Sequence, residues 1–447
     1  MNNNTKYVFL KGFKRYFRNT TWIFFEKILR MIVQLVIGIY VLRYLGPEKF
    51  GILSYAYSFV MILSIMSNLG LENIIIRNLV RDKQLTFQIL GTGFTLKLIG
   101  AICSIIMIYI ALFFTRNDTF TKRIVMIVSC WLIFESFSVI DYYFRSQVRA
   151  KYPSIAQITM FLISSVLKIL FIMIKAPLIY FAWMIVVESI ILAIVLIFFY
   201  YRQHFSIMKW SPSIKTAIYL LKDSWPLMIT GMLISLYMKI DQVMIKEMLN
   251  AESVGIYGAS TRFSEVWYFV PISLYYSVLP AIVNAKKTSE DLYYKRIQAL
   301  VDLSVWMALS ITIPITLLSG IVIPALLGEA YQPVVKILQI QIWASIFVFP
   351  SVLIGQWFIV ENLQKIYLYR ALTGVFINVL LNYLLIPILG VSGAAISTVT
   401  TQFIASYLSL CFFKNTSQAF WIATRAFNIY SSFQRIIGFI NELFFQR

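Results

Sequence analysis

Charged residues are scarce in this sequence: Asp, Glu, Lys and Arg make up only 13% of its 447 residues. Soluble globular chains contain about 25% charged and about 45–50% apolar residues, whereas this chain is 60% hydrophobic. The composition therefore excludes a soluble globular protein. The apolar runs are long and unbroken rather than alternating, which also excludes a transmembrane β-barrel.

Cysteine and histidine are nearly absent, with three Cys and one His in the chain. Cys103, Cys130 and Cys411 lie singly in apolar stretches, so we expect them to be core residues. His204 lies in a polar connection without Cys or carboxylate neighbours, which argues against a metal site. No Ser-His-Asp spacing occurs either. We therefore predict no metal, no cofactor and no catalytic residue, and a protein that is not an enzyme.

Long apolar runs dominate the chain, and a membrane helix needs about 20 such residues. They predict an all-α polytopic membrane protein with about twelve transmembrane helices, at residues 20–42, 50–69, 88–113, 124–144, 155–174, 178–201, 224–248, 254–282, 298–319, 334–360, 367–387 and 392–413. The segment 414–447 mixes aromatic and basic residues and is interpreted as an amphipathic helix at the membrane surface, with a thirteenth span as the weaker alternative.

The basic residues are distributed unevenly between the two sides of these spans. If the N-terminus is cytoplasmic, and Arg370 near the start of the eleventh span is counted with the connection before it, the cytoplasmic segments hold 25 Lys and Arg, the outside connections hold six, and eight lie within spans. Because cytoplasmic loops of membrane proteins carry the positive excess, we predict that 1–19, 202–223 and 414–447 are cytoplasmic. The same rule explains the net charge of +20 without nucleic acid as a partner.

A short motif occurs twice at equivalent places. LGPEKFGILSYA (Leu45–Ala56) lies between the first two spans, and LNAESVGIYGAS (Leu249–Ser260) lies between the seventh and eighth. Four residues are identical at a separation of 204 positions, and LGVSGAAIS (Leu389–Ser397) is a fainter third copy. Two six-span halves in parallel orientation are typical of transporters. We predict an N-lobe at 20–210 and a C-lobe at 211–413, pseudo-symmetric around a central cavity.

Several basic residues fall inside predicted spans, where a lipid-facing charge costs about 2.5–3.5 kcal/mol on insertion scales. Lys27, Lys246 and Lys336 lie near span ends and can reach the interface. The deeper ones must face an interior, and we predict that they bind an anionic substrate: Arg30, Lys97, Lys168, Lys239 and Arg262. Ser235, Lys239, Gln242 and Lys246 share one face of span 7 and are expected to form a water-facing wall.

Embedded acids are fewer than embedded bases. Glu26, Glu135 and Asp241 are candidates for coupling transport to H⁺ or Na⁺. Three pairs share a helix face through spacings of three or four residues, which is equally compatible with structural ion pairs: Glu26–Arg30, Asp141–Arg145 and Arg262–Glu265.

Three stretches resemble a known family. YLGPEKFGILSYAYSFV (Tyr44–Val60), KIDQVMI (Lys239–Ile245) and VGIYGASTRFSEVWYFVP (Val254–Pro271) are similar to bacterial oligosaccharide-lipid flippases of O-antigen and capsule pathways. These belong to the superfamily of the multidrug/toxin extruders and the lipid II flippase. Arg262 lies in Y-x-A-x-x-R-x-x-E, where the lipid II flippases resemble this sequence and carry a functional arginine.

The resemblance implies that the chain flips undecaprenyl-diphosphate-linked oligosaccharide across the bacterial inner membrane by alternating access. Membrane lipids, a polysaccharide polymerase and a chain-length regulator would be its partners. Two alternatives stay open. A multidrug/toxin antiporter of the same fold would favour buried carboxylates for cationic drugs. A membrane polymerase or glycosyltransferase would need a large outside loop or acidic catalytic residues.

Overall fold

The computed structural model describes residues 3–445 except 275–281, 283–285, 287 and 362. In this part of the chain every regular element is a helix. The N-terminal half contains α1 (Asn3–Leu63), α2 (Ile65–Asn68), α3 (Leu71–Arg81), α4 (Thr86–Phe113), α5 (Thr119–Ser129), α6 (Trp131–Glu135), α7 (Val139–Ser146), α8 (Lys151–Met173) and α9 (Leu178–Arg202). The C-terminal half contains α10 (Ile214–Met248), α11 (Ala251–Glu265), α12 (Glu290–Leu327), α13 (Val334–Gln341), α14 (Ser345–Val360), α15 (Gln364–Leu389), α16 (Val391–Gln402), α17 (Ser417–Ala426) and α18 (Ile429–Phe445).

Ten stretches among the described residues are helical, long and apolar enough to cross a membrane, which confirms the all-α polytopic class. The difference from twelve has two sources. The predicted spans 20–42 and 50–69 form one stretch, Phe25–Leu63. The predicted span 254–282 includes 275–281, which lie outside the described residues.

The repeated motif marks the turns between consecutive helices. In α1 the one non-helical residue is Gly46, with φ 69° and ψ 171°, and Pro47 follows it. Proline fits the first turn of a helix because its missing N–H would be unsatisfied there anyway. In the second copy Asn250 caps α11 by accepting a hydrogen bond from the Ser253 N–H at 2.8 Å. In the third copy Gly390, with φ 60°, separates α15 from α16.

The chain divides into two units, Met1–Val243 and Met244–Arg447. This division falls inside α10, whereas the lobe boundary predicted at 210/211 precedes that helix. We call the two parts the N-terminal and C-terminal units. The core of the N-terminal unit is formed by α3, α4, α7 and α9, around Ile75, Phe144 and Tyr200.

The C-terminal unit has its core between α12, α14 and α17, around Leu300, Phe358 and Ala426. Both α17 and α18 lie in the segment 414–447, and neither is among the ten membrane-length stretches. Because Ala419, Ile422 and Ala423 of α17 belong to this core, the segment is packed into the unit over part of its length.

The prediction that the cysteines are core residues is wrong for two of them. Cys103 and Cys411 are exposed, and Cys130 is half-buried. In a membrane protein the outer surface is apolar too, so an apolar sequence context does not imply burial.

Candidate functional site

Lys97 lies in the middle of α4 with none of its surface exposed. Its Nζ donates hydrogen bonds to Ser138 Oγ at 2.8 Å and to Tyr142 Oη at 3.2 Å. Glu135 Oε1 lies 3.9 Å from the same nitrogen. A predicted substrate-binding cation and a predicted coupling acid are therefore neighbours in the N-terminal unit.

A second charge cluster lies on α3 and α7. The Arg145 Nε donates to Asp141 Oδ1 at 3.0 Å, its Nη2 lies 2.6 Å from Asp141 Oδ2, and its Nη1 donates to Glu72 Oε1 at 2.8 Å. The Asp141–Arg145 pair is the one that the four-residue spacing predicts. The hydrogen bond to Glu72 joins α7 to α3, and no pattern in the sequence predicts this contact.

Arg30 and Glu26 are paired along α1, with the Arg30 Nε 3.5 Å from Glu26 Oε1. The Arg30 guanidinium also lies over the ring of Phe161 in α8, 5.7 Å from its centre. Glu26 is buried and Arg30 is half-buried. The structure thus brings a second predicted cation and a second predicted coupling acid together.

Lys168 of α8 is paired across two helices with Glu188 of α9, the Nζ and Oε1 being 2.5 Å apart. Ser164, one turn before Lys168, donates a second hydrogen bond to the same Glu188 oxygen. Both charged side chains are only partly exposed. This pair shares no contact with the Lys97 cluster among the described interactions.

The polar face predicted for α10 is only partly accessible. Gln242 is buried and accepts a 2.8 Å hydrogen bond from Ser58 Oγ of α1. The prediction that Gln242 faces water is therefore wrong, because a neighbouring helix covers it. Asp241 is buried as well. Lys239 is half-buried and has no hydrogen bond or ion pair within the part of the chain that the structure describes.

Arg262 lies in the last turn of α11 and is exposed. The residues just before it anchor the helix to α13: Ser260 Oγ donates to Gln341 Oε1 at 2.7 Å, and the Gln341 side-chain amide donates to Thr261 Oγ1 at 3.1 Å. Burial raises the pKa of Tyr331, and the positive charge of Arg262 acts in the opposite direction. The Arg262 charge therefore lies within electrostatic reach of Tyr331, in the connection between α12 and α13.

Two buried charges of the C-terminal unit do not follow from the sequence pattern. Asp302 of α12 is fully buried and receives the Arg435 Nε at 2.6 Å and Nη2 at 3.1 Å. Gln298 also donates to Asp302, at 2.8 Å. Asp302 pairs with a residue 133 positions away, and only a view of the packing of α18 against α12 reveals that.

Arg370 is the second of these charges. The count of basic residues by side assigns it to the connection before the eleventh span, but it lies in α15 and is 5% exposed. Its Nε donates to Ala405 O at 3.0 Å and Ser409 Oγ at 2.8 Å, and its Nη2 donates to Ser406 O at 2.8 Å. These acceptors lie in and just after the π-helical turn Phe403–Tyr407 that follows α16. Arg370 therefore satisfies carbonyl groups where the helix is irregular.

Within the N-terminal unit, the structure places predicted site residues in separate charge pairs. It pairs Lys97 with Glu135 and Arg30 with Glu26. Lys168 has its own acid, Glu188. Among the described residues, no group of three or more His, Cys, Asp or Glu side chains could hold a metal ion.

Comparisons with known proteins show what the chain resembles. The family model described as "Polysaccharide biosynthesis protein" matches residues 16–286, and the MatE model matches residues 226–384. A comparison with curated protein sequences gives no match.

Several solved membrane transporters share the fold. The lipid II flippase MurJ in an inward closed conformation aligns over 95% of this chain and 96% of its own, with a TM-score of 0.70 and 16% identity. An inward-facing multidrug resistance MATE family transporter of the MOP superfamily covers 89% of this chain and 96% of its own, with a TM-score of 0.63 and 14% identity. A mutant of a Vibrio cholerae MATE transporter covers 93% and 98%, with a TM-score of 0.57 and 16% identity.

Proposed function

Because the chain belongs to the polysaccharide biosynthesis protein family, we propose that it flips an undecaprenyl-diphosphate-linked oligosaccharide from the cytoplasmic to the outer leaflet of the bacterial inner membrane. Transport would proceed by alternating access and serve O-antigen or capsular polysaccharide synthesis. The observation that carries the proposal is the family match over residues 16–286, joined to the fold of a MOP-superfamily transporter.

The chemistry of such a substrate fits the residues of this chain. A diphosphate carries about two negative charges, and neither it nor the sugar hydroxyls can cross about 30 Å of hydrocarbon unaided. Arginine and lysine side chains supply charge-assisted hydrogen bonds to phosphate oxygens. The polyprenyl chain can remain in lipid, so the protein has only to accommodate the polar part.

Among the candidate cations, Arg262 and Lys239 are the proposed primary contacts of the diphosphate. The guanidinium of Arg262 is exposed on a helix end fixed by Gln341, and its planar fork can grip two phosphate oxygens. Arg30, Lys97 and Lys168 are further proposed contacts, and each of them also lies beside a carboxylate.

Replacing Arg262 tests this assignment. We expect Arg262→Ala and Arg262→Glu to abolish surface glycan display in a flippase-deleted strain, and Arg262→Lys to keep part of it because the charge remains but the fork is lost. Lys295→Ala is the matched control, since Lys295 lies on the exposed surface of α12 and pairs there with Asp291. Membrane abundance is measured for every variant.

A role for Arg262 that is only structural predicts a different pattern. If it acts solely through Glu265 on its own helix, Glu265→Ala reproduces the defect and the double variant is no worse than either single one. Full glycan display by a normally inserted Arg262→Ala protein would refute substrate binding.

Glu26, Glu135 and Asp241 are the residues that we propose for coupling to H⁺ or Na⁺. Glu26 and Glu135 each lie beside a cation, and Asp241 is buried. Such carboxylates change charge when they bind or release an ion. Transport that is unchanged after both the pH and the Na⁺ gradients have been collapsed would exclude this role.

A multidrug antiporter is the second candidate, and the MatE match at residues 226–384 favours it. Cationic drugs need acidic partners, whereas the chain has 39 Lys and Arg against 19 Asp and Glu. Cells that express the protein should display glycan without gaining resistance to cationic dyes. Dye extrusion without glycan display would favour the multidrug antiporter over the flippase.

A further inference from the structure

Most of α10 belongs to the N-terminal unit by its contacts, although the repeated motif assigns α10 to the second half of the chain. The division between units falls only after Val243. Along this stretch Leu220 is fully buried in the core around Ile75 and Phe144. An element that belongs to one half by sequence and to the other by contact is a natural place for a conformational change.

At Gly70 the backbone of α10 comes into direct contact with the start of α3. A Cβ at Gly70 would lie 2.6 Å from Met228 N and 2.9 Å from Ser224 O. Such distances leave no room for a side chain, so only glycine permits this approach. Ser224 is completely buried at this crossing.

Polar side chains complete the contact. Arg77 of α3 forms an ion pair with Asp223, and Gln88 of α4 donates a 2.8 Å hydrogen bond to Thr216 Oγ1. The side chains of Arg77 and Asp223 are 52% and 32% exposed. Exposed ion pairs of this kind contribute little to stability, so this part of the contact can separate and re-form.

The segment before α3 is strained. Leu69 has φ 49° and Gly70 has φ 62°, both in the left-handed region that disfavours leucine. On the other side of this segment, a Cβ at Gly100 of α4 would overlap the carbonyl oxygen of Met66 in α2. The irregular turn therefore lies in close contact with α4 on one side and α10 on the other. Backbone strain of this kind persists only where the surrounding structure imposes it.

We propose that these contacts form a clamp that closes the cytoplasmic side of the transport path. The clamp consists of Gly70, Arg77 and Gln88 against Thr216, Asp223 and Ser224. It holds α10 in the structure described here, and it opens when substrate is admitted from the cytoplasm. Opening removes the neighbour that imposes the strained turn at Leu69–Gly70. This inference rests on the proposed transport function.

Reversible cross-linking tests the clamp. In a background where Cys103, Cys130 and Cys411 are replaced by Ser, Arg77→Cys/Asp223→Cys is treated in cells with a short membrane-permeant bis-methanethiosulfonate. Glycan display should fall at least tenfold and recover with dithiothreitol. The matched control is Arg149→Cys/Gln203→Cys, whose wild-type side chains bond at 2.6 Å on the same predicted side without involving α10. Full display by the cross-linked 77–223 protein overturns the clamp.

A second measurement does not depend on transport. Ser224→Cys in the same background is labelled in inside-out vesicles with an impermeant maleimide. Because Ser224 is buried only while the clamp is closed, labelling should accelerate at least fivefold on adding Arg77→Gln or, in a separate variant, Asp223→Asn. An unchanged rate in both variants refutes the clamp. Faster labelling in these variants, together with no glycan display by the protein that keeps Arg77 and Asp223, refutes the proposed function and leaves the clamp standing.

Discussion

A lysine without exposed surface inside a membrane helix has to be balanced by its immediate neighbours. Lys97 has two hydroxyl acceptors and one carboxylate, Glu135, whose side chain is 30% exposed. The partners are unequal, because Glu135 can still reach a polar environment when Lys97 is lost, whereas Lys97 cannot do so when Glu135 is lost.

This difference between the partners predicts which of two variants loses more stability. We expect Glu135→Gln to lower stability by about 1.5–3 kcal/mol, since it removes a charged partner from a buried cation. Lys97→Met should cost less, and Lys97→Met/Glu135→Gln should recover most of the loss. Thermal unfolding in detergent measures the order. Equal losses for the two single variants would contradict it.

The same residues show what sequence can predict about charge pairs. Glu26–Arg30 and Asp141–Arg145 follow from a spacing of four residues, because helix geometry alone places such side chains on one face. Lys97–Glu135 and Lys168–Glu188 join separate helices. Their pairing depends on how the helices pack, and the sequence contains no periodic signal for that.

At the scale of the elements, α4 approaches α2 so closely at Gly100 that a Cβ there would overlap the Met66 carbonyl oxygen. We expect Gly100→Ala to destabilise the protein by about 1–3 kcal/mol, because backbone atoms would have to move. Gly320→Ala in α12 is the control, since a Cβ there meets nothing within 4 Å. It should be neutral or stabilising by about 0.5–1 kcal/mol. Equal melting temperatures for the two variants would disprove the close approach.

The pairing of α18 with α12 gives a second prediction at this scale. Arg435→Ala leaves the fully buried Asp302 without its cation and should cost about 3–5 kcal/mol. Asp302→Asn should cost less, because Arg435 is 30% exposed and can turn to solvent. Limited proteolysis of the segment 414–447 reports the loss, and cleavage should be fastest in Arg435→Ala. Faster cleavage in Asp302→Asn would show that the pair does not hold the segment.

At the scale of the whole molecule, the all-α membrane class follows from composition, because twelve apolar runs permit no other arrangement. The number of separate helices is harder to predict, since one residue, Gly46, decides whether two runs are joined. The interpretation of 414–447 as a surface helix does not anticipate its packing, because Ile422 and Arg435 have partners in α12 and α14 that are far away in sequence.

The orientation of the molecule remains a prediction from the 25 to six charge bias. Ser211 is exposed in the connection before α10, which we predict to be cytoplasmic. Ser211→Cys should stay unlabelled by an impermeant maleimide applied to intact cells and become labelled in inside-out vesicles. Ready labelling in intact cells would show that the orientation is the reverse of the predicted one.

The bonding of Arg370 has a consequence for the pH dependence of the structure around α16. A guanidinium keeps its positive charge across the whole physiological range, so the carbonyl groups after α16 stay fastened at any pH that the two sides of a membrane present. The hydrogen bonds between Arg370 and the segment after α16 therefore do not depend on pH. A rearrangement driven by pH has to begin at other residues and leave these hydrogen bonds in place.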